Sequence, residues 1–110
     1  MNTELIEVRK DEKLNEESLK AFFSDFLKSK INNFSLKQFS GGHANLTYLI
    51  SVNDQEYVLR RPPLGPIAPS AHDMKREHKV QRSLHSIFPL VPNSIYFSDD
   101  VSIVGSQFHI

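Results

Sequence analysis

The chain has 110 residues, 39% of them hydrophobic and 24% charged, which is the composition of one small globular domain or a portion of a larger one. Thirteen Lys and Arg balance thirteen Asp and Glu, so no net field recruits nucleic acid or an anionic membrane, and the absence of cysteine excludes disulfides, thiolate catalysis and the common zinc frameworks. No apolar run approaches the roughly 18 residues of a membrane helix, and the charged start from Met1 to Lys13 lacks the apolar block of a signal peptide, so the cytoplasm is the expected location.

After this leader, Asn15 is a suitable N-cap for a helix running to about Lys28. At about 100° per residue, Leu19, Phe22, Phe23, Phe26 and Leu27 fall on one face. A membrane-surface helix would show the same stripe but with a basic polar face. Here Glu16, Glu17, Lys20, Asp25 and Lys28 mix signs, which favours packing against the rest of the domain. Residues 1–32 are therefore expected to be a leader and an amphipathic helix, and residues 33–110 the main lobe.

Phe34 to Phe39 predicts a strand with Phe34 and Leu36 on one face and Phe39 on the other, broken by Ser40-Gly41-Gly42. Leu46 to Val52 and Glu56 to Arg61 predict two more, joined at Asn53-Asp54 as an antiparallel meander. Pro62-Pro63-Leu64-Gly65-Pro66 stops the sheet, because proline cannot continue a ladder. Ser70, three residues before Asp73, resembles a capping box opening a second helix that Phe88-Pro89 ends. Beyond Pro92 no helix is expected. Ser94 to Ser98 and Ser102 to Ile110 read as strands around a turn at Asp99-Asp100. The expected fold is α+β: a five-stranded antiparallel sheet with one packed helix, plus the N-terminal helix.

In the second helix Met74, Val80, Leu84, Ile87 and Phe88 share an apolar arc opposite Lys75, Arg76, Lys79, Arg82, Ser83 and Ser86. Glu77 falls inside the apolar arc. A carboxylate aimed at a core must meet a cation or lose its charge, unless it tilts to solvent at the lobe edge. Arg60 and Arg61 end the third strand pointing to opposite faces, one toward the helix and the other toward solvent. They are either a carboxylate-and-phosphate fork or two arginines at a frayed end. Gly41 and Gly42 allow backbone amides to approach a phosphate, although an ordinary hairpin turn has the same residues. Glycine hairpin, strand ending in a basic residue, then helix with an inward glutamate is the order of a protein-kinase-like small lobe.

Gln38 to Tyr48, Tyr57 to Gly65 and Ala71 to His78 resemble the aminoglycoside phosphotransferase and choline-kinase-like family, close to the kinase-like domains joined to acyl-CoA dehydrogenases. Leu90-Val91-Pro92 and Ile103-Val104-Gly105 extend the resemblance. It implies that the Gly41, Gly42, His43, Ala44 and Asn45 turn covers the phosphates of ATP, and that Arg60 stands where many kinases carry lysine, pairing with Glu77. Many relatives have Gln-Ser where this chain has His43-Ala44, which leaves the phosphate contact to backbone amides.

The same resemblance assigns the catalytic base to a His-Gly-Asp loop and the Mg2+ ligands to residues near and beyond it, in a large lobe. No His-Gly-Asp occurs here, and the five histidines contain no His-x-x-x-His pair, so neither a catalytic residue nor a metal site is expected in these 110 residues. The expected function is the nucleotide-binding lobe of a kinase acting on a small-molecule hydroxyl, inactive alone. The alternatives are a truncated lobe that binds nucleotide or protein without turnover, and a structural module with no nucleotide site. Ile103, Val104, Phe108 and Ile110 are expected to be exposed for lack of a large lobe and to drive self-association, unless the phenylalanine-rich first helix covers them.

Overall fold

The computed structural model describes residues 5–40, 46–62, 74–87 and 93–110. Ser70, Asp73, Phe88, Pro89 and the turn from Gly41 to Asn45 lie outside them. The strands are β1 (Leu5–Ile6), β2 (Phe34–Phe39), β3 (Leu46–Val52), β4 (Gln55–Arg61), β5 (Phe97–Ser98) and β6 (Phe108–His109). The helices are α1 (Glu16–Leu27), α2 (Met74–Ile87) and α3 (Val101–Val104). All strands pair antiparallel in one sheet ordered β1-β2-β3-β4-β6-β5.

The expected meander is present. Asn53 and Asp54 both take positive φ, 46° and 71°, between the paired residues Val52 and Gln55. That is a two-residue turn whose twist matches the strands it joins. The Asn53 carboxamide also accepts from the amides of Asn32 and Asn33 at 2.7 and 3.1 Å and donates to the Lys30 carbonyl, so it ties the hairpin to the segment leaving α1. In β3 the alternation places Leu46, Tyr48, Ile50 and Val52 in the core.

Helix α1 covers that core face. Asn15 caps it by accepting from the Ser18 amide, and Leu19 and Phe23 are fully buried. Phe23 meets Tyr57 of β4 at 5.2 Å between centroids, and Phe22 stands edge-on to Phe108 of β6 at 5.6 Å. Val104, Phe108 and Ile110 are consequently buried. Their expected exposure is corrected: the aromatic face of α1 covers them.

Three further expectations change. The sheet has six strands, because the leader contributes β1 beside β2. A helix, α3, replaces the start of the expected Ser102 to Ile110 strand. Asp100 caps it, accepting from the Ser102 amide at 2.9 Å, and Gly105 closes it at φ 90°. Finally, among the described residues of the apolar arc of α2, only Met74 is buried. Val80, Leu84 and Ile87 are 48%, 40% and 68% exposed, since α2 meets β5 and β6 by its N-terminal half.

Candidate functional site around Arg60 and Glu77

Strand β4 alternates between two environments. Leu59 and Arg61 point into the core under α1, which leaves Val58 and Arg60 on the opposite face, toward α2. The register sets Arg60 opposite Thr47 on one side and opposite His109 on the other. Residues directly opposite in a ladder share a face. Arg60 and His109 therefore present their side chains side by side.

Both reach Glu77, in the first turn of α2. Arg60 Nη1 and His109 Nε2 each lie 3.0 Å from the same oxygen, Glu77 Oε1. Of the two readings of Glu77 in the sequence, pairing with Arg60 is the one observed. The pair is half-buried, with side-chain exposures of 33% for Arg60 and 22% for Glu77. Arg60 Nε is buried and has no hydrogen-bond partner among the described residues.

The ion pair extends into a chain of polar groups that sequence reasoning missed. Ser94 Oγ lies 2.7 Å from His109 Nδ1 and 2.7 Å from His78 Nδ1, with the Ile110 carbonyl oxygen at 3.3 Å. Ser94 and His109 are both buried. Desolvation, followed by the neighbouring charges of His109, Arg82 and Lys79, lowers the pKa of His78 from its ordinary 6.5 and favours the neutral ring. The only sequence sign of this network was His109 alternating with Phe108 and Ile110, and its partners depend on strand order.

Arg61 corrects a further expectation. It does not face solvent: it is 3% exposed. Its Nε and Nη2 donate to the Tyr48 hydroxyl at 3.1 and 2.9 Å, Nη1 to the Val104 carbonyl at 3.2 Å, and Nη2 to the Glu12 carbonyl at 3.1 Å. Tyr48 donates its own proton to the Glu12 carbonyl at 2.6 Å. Burial raises the Tyr48 pKa from 10.0 while the Arg61 hydrogen bond opposes the rise. Gln38 completes the dock. It accepts from the Arg9 amide at 2.9 Å and donates to the Glu12 carboxylate at 2.6 Å. Arg61, Tyr48 and Gln38 thus fasten the leader to the sheet, a role the sequence pattern concealed because all three sit on strands read for their apolar residues.

The residues of the expected phosphate-covering turn, Gly41, Gly42, His43, Ala44 and Asn45, lie outside the described residues. The strand that follows them is described: Leu46 pairs with Arg61 and Thr47 with Arg60, so the chain enters the sheet beside the Arg60–Glu77 pair. Asp99-Asp100 takes no part in this site. Asp100 accepts from both the amide and the hydroxyl of Ser102, and those hydrogen bonds hold its carboxyl below the ordinary 3.8. Among the described residues no cluster of His, Cys, Asp or Glu is arranged to hold a metal ion, and no helix is long and apolar enough to cross a membrane.

An antiparallel sheet carrying a basic residue at the end of its third meander strand, joined across one face to a helix glutamate, defines a kinase-like small lobe. The sequence matches the phosphotransferase enzyme family over residues 35–108, and the chain belongs to that family. It is similar to acyl-CoA dehydrogenase family member 11 of Gallus gallus, with 33% identity over 108 residues, 94% of this chain and 14% of that protein. The Homo sapiens protein of the same description is 33% identical over 112 residues, 98% of this chain and 14% of its own length. Acyl-CoA dehydrogenase family member 10 of Mus musculus is 37% identical over 75 residues, 68% of this chain and 7% of its own. The chain thus spans a small part, 14%, of the family member 11 proteins. No solved structure gives a significant match.

Proposed function

We propose that this chain holds the phosphates of ATP for a phosphotransferase acting on a small-molecule hydroxyl. The observation that carries the reading is Arg60: Glu77 fixes one of its nitrogens at 3.0 Å, while its buried Nε has no partner among the described residues. A guanidinium held by one edge keeps donors for a second anion, and a planar fork suits phosphate oxygens. Membership of the phosphotransferase family supports the reaction class. Backbone amides of Gly41 to Asn45, the residues that precede Leu46 in the chain, would add donors to the same anion.

ATP would supply the transferable phosphoryl group, with Mg2+ neutralising charge between its phosphates. Arg60 would contact the α- and β-phosphates, and Glu77 would keep its guanidinium aimed. The base that takes the substrate proton and the carboxylates that hold Mg2+ are assigned to a His-Gly-Asp-bearing lobe, a motif absent from these 110 residues. For the substrate, a hydroxyl on an acyl metabolite is consistent with relatives that bear an acyl-CoA dehydrogenase name.

Calorimetric titration of the chain with ATP tests the assignment. Arg60→Ala is expected to weaken binding by about tenfold or more, the loss of one charge-assisted contact of about 1.4 kcal/mol. Equal affinity in the variant and the parent would overturn it. With labelled ATP and candidate hydroxyl acceptors the 110-residue chain is expected to show no transfer. Transfer that disappears in Arg60→Ala would mean the catalytic groups lie within this chain.

A further inference from the structure

Helix α2 is anchored mainly by polar contacts. Among the described residues of its apolar arc only Met74 is buried, whereas Glu77 and His78 reach across to Arg60, His109 and Ser94. The protons available to those groups constrain how the contacts are made. Glu77, 3.0 Å from the Arg60 guanidinium, is stabilised as a carboxylate and can only accept. The hydrogen in its contact with His109 must then come from Nε2 of the imidazole.

A neutral His109 that donates from Nε2 has a bare Nδ1, which must receive the single hydroxyl proton of Ser94 at 2.7 Å. Ser94 Oγ, with its proton given away, can only accept from His78 Nδ1. Its 3.3 Å approach to the Ile110 carbonyl is correspondingly the longest of its contacts. Every donor then points the same way: His78 to Ser94, Ser94 to His109, and His109 to Glu77. His109 faces Glu77 from α2 and Arg60 from β4, and Glu77 Oε1 receives the imidazole and the guanidinium at 3.0 Å each. Desolvation, together with the charges of Arg82 and Lys79 on its own helix, opposes protonation of His78.

We propose that His109 is a positioning residue for Glu77, held in its Nε2–H tautomer by Ser94 and His78, and that it acts on nucleotide binding by fixing the carboxylate against Arg60. This deepens the proposed function and rests on it for the nucleotide. The positioning of Glu77 is measurable without ATP. A histidine without a fixed tautomer would present a bare Nε2 to the carboxylate part of the time, and two lone-pair-bearing atoms at 3.0 Å repel. Fixing the tautomer removes that arrangement, and burial of Ser94 at 1% exposure keeps water from supplying an alternative proton.

Two-bond 1H–15N spectra of the imidazole-labelled chain, without nucleotide, are expected to show His109 protonated at Nε2 and His78 at Nδ1. A bare Nε2 on His109 overturns the proposal whatever the chain binds. With ATP as the probe, His109→Leu is expected to weaken binding about tenfold, the lower end of what outer partners of a binding group contribute. His109→Gln, whose amide nitrogen can replace the Nε2 donor, is expected to recover affinity to within about threefold of the parent. Leu and Gln variants of equal affinity would make His109 a space-filling residue and overturn the positioning role. If the parent chain fails to bind ATP, the nucleotide reading falls, and the tautomer measurement still decides whether His109 positions Glu77.

Discussion

Two adjacent arginines divide stability from binding. Arg61 places its guanidinium in the core, where its hydrogen bonds run to neutral oxygens of Tyr48, Val104 and Glu12. Replacing it takes the donor from the buried Val104 carbonyl and leaves Tyr48 and Glu12 only their mutual hydrogen bond. Arg61→Met keeps the stem but is expected to cost about 3 kcal/mol, read by chemical denaturation followed by circular dichroism. Arg60 is a third exposed and its ion pair is partly solvated, so Arg60→Ala is expected to change stability by under about 1 kcal/mol in the same experiment. Similar losses for both would contradict the division. Strand periodicity stated that the two arginines face opposite ways, and this holds. Which face is wet could not be read, because the leader that covers Arg61 docks through Gln38 and Glu12 from residues distant in sequence.

At the scale of elements, caps and turns were legible because they depend on a few neighbouring residues. Asn15 caps α1 and Asn53-Asp54 makes the tight hairpin, as the sequence predicts. The far end of α1 is less usual. Lys28 takes the left-handed conformation at φ 51°, ψ 48°, donating to the Asp25 carbonyl while Ser29 donates to that of Ser24. That pair of bonds is a Schellman closure, in which glycine normally avoids the steric cost borne by a side chain. Lys28→Gly is therefore expected to stabilise the chain by about 0.5 kcal/mol, measured as a higher denaturation midpoint with unchanged slope. A lower midpoint would mean that the Lys28 side chain contributes more than its backbone strain costs. The short helix α3 was misread as strand because Val101, Ile103 and Val104 are β-formers, although Asp100 and Gly105 bracket it with start and stop signals.

For the whole molecule, the aromatic face of α1 decides which surfaces remain exposed. Phe22, Phe26 and Tyr96 contact one another within 5.1 to 5.5 Å between centroids, and Phe22 continues to Phe108. The terminal stretch is thereby covered, and the exposed apolar row moves to Val80, Leu84 and Ile87 on α2. With zero formal net charge the chain has little electrostatic protection against association through that row near neutral pH. Sedimentation velocity is expected to show concentration-dependent association that Leu84→Lys reduces. A parent chain that remains monomeric across concentrations would show that the row is too narrow to drive contact.

The choice of Arg60 over Arg61 as the partner of Glu77 rested on the family resemblance, but local pattern was enough for the α+β class, the meander with its turns and both long helices. Each follows from spacing along the chain: period two in the strands, period 3.6 in the helices, and turn residues whose φ preferences are local. Long-range packing settled that the leader adds a strand, that Arg61 is buried, and that His78 and Ser94 lead through His109 to Glu77. These depend on β6 inserting between β4 and β5, which sets Arg60 opposite His109 across 49 positions of sequence. Strand order is chosen by how buried faces pack together, with α1 laid over Phe108, and no local periodicity encodes which distant residues that packing makes neighbours.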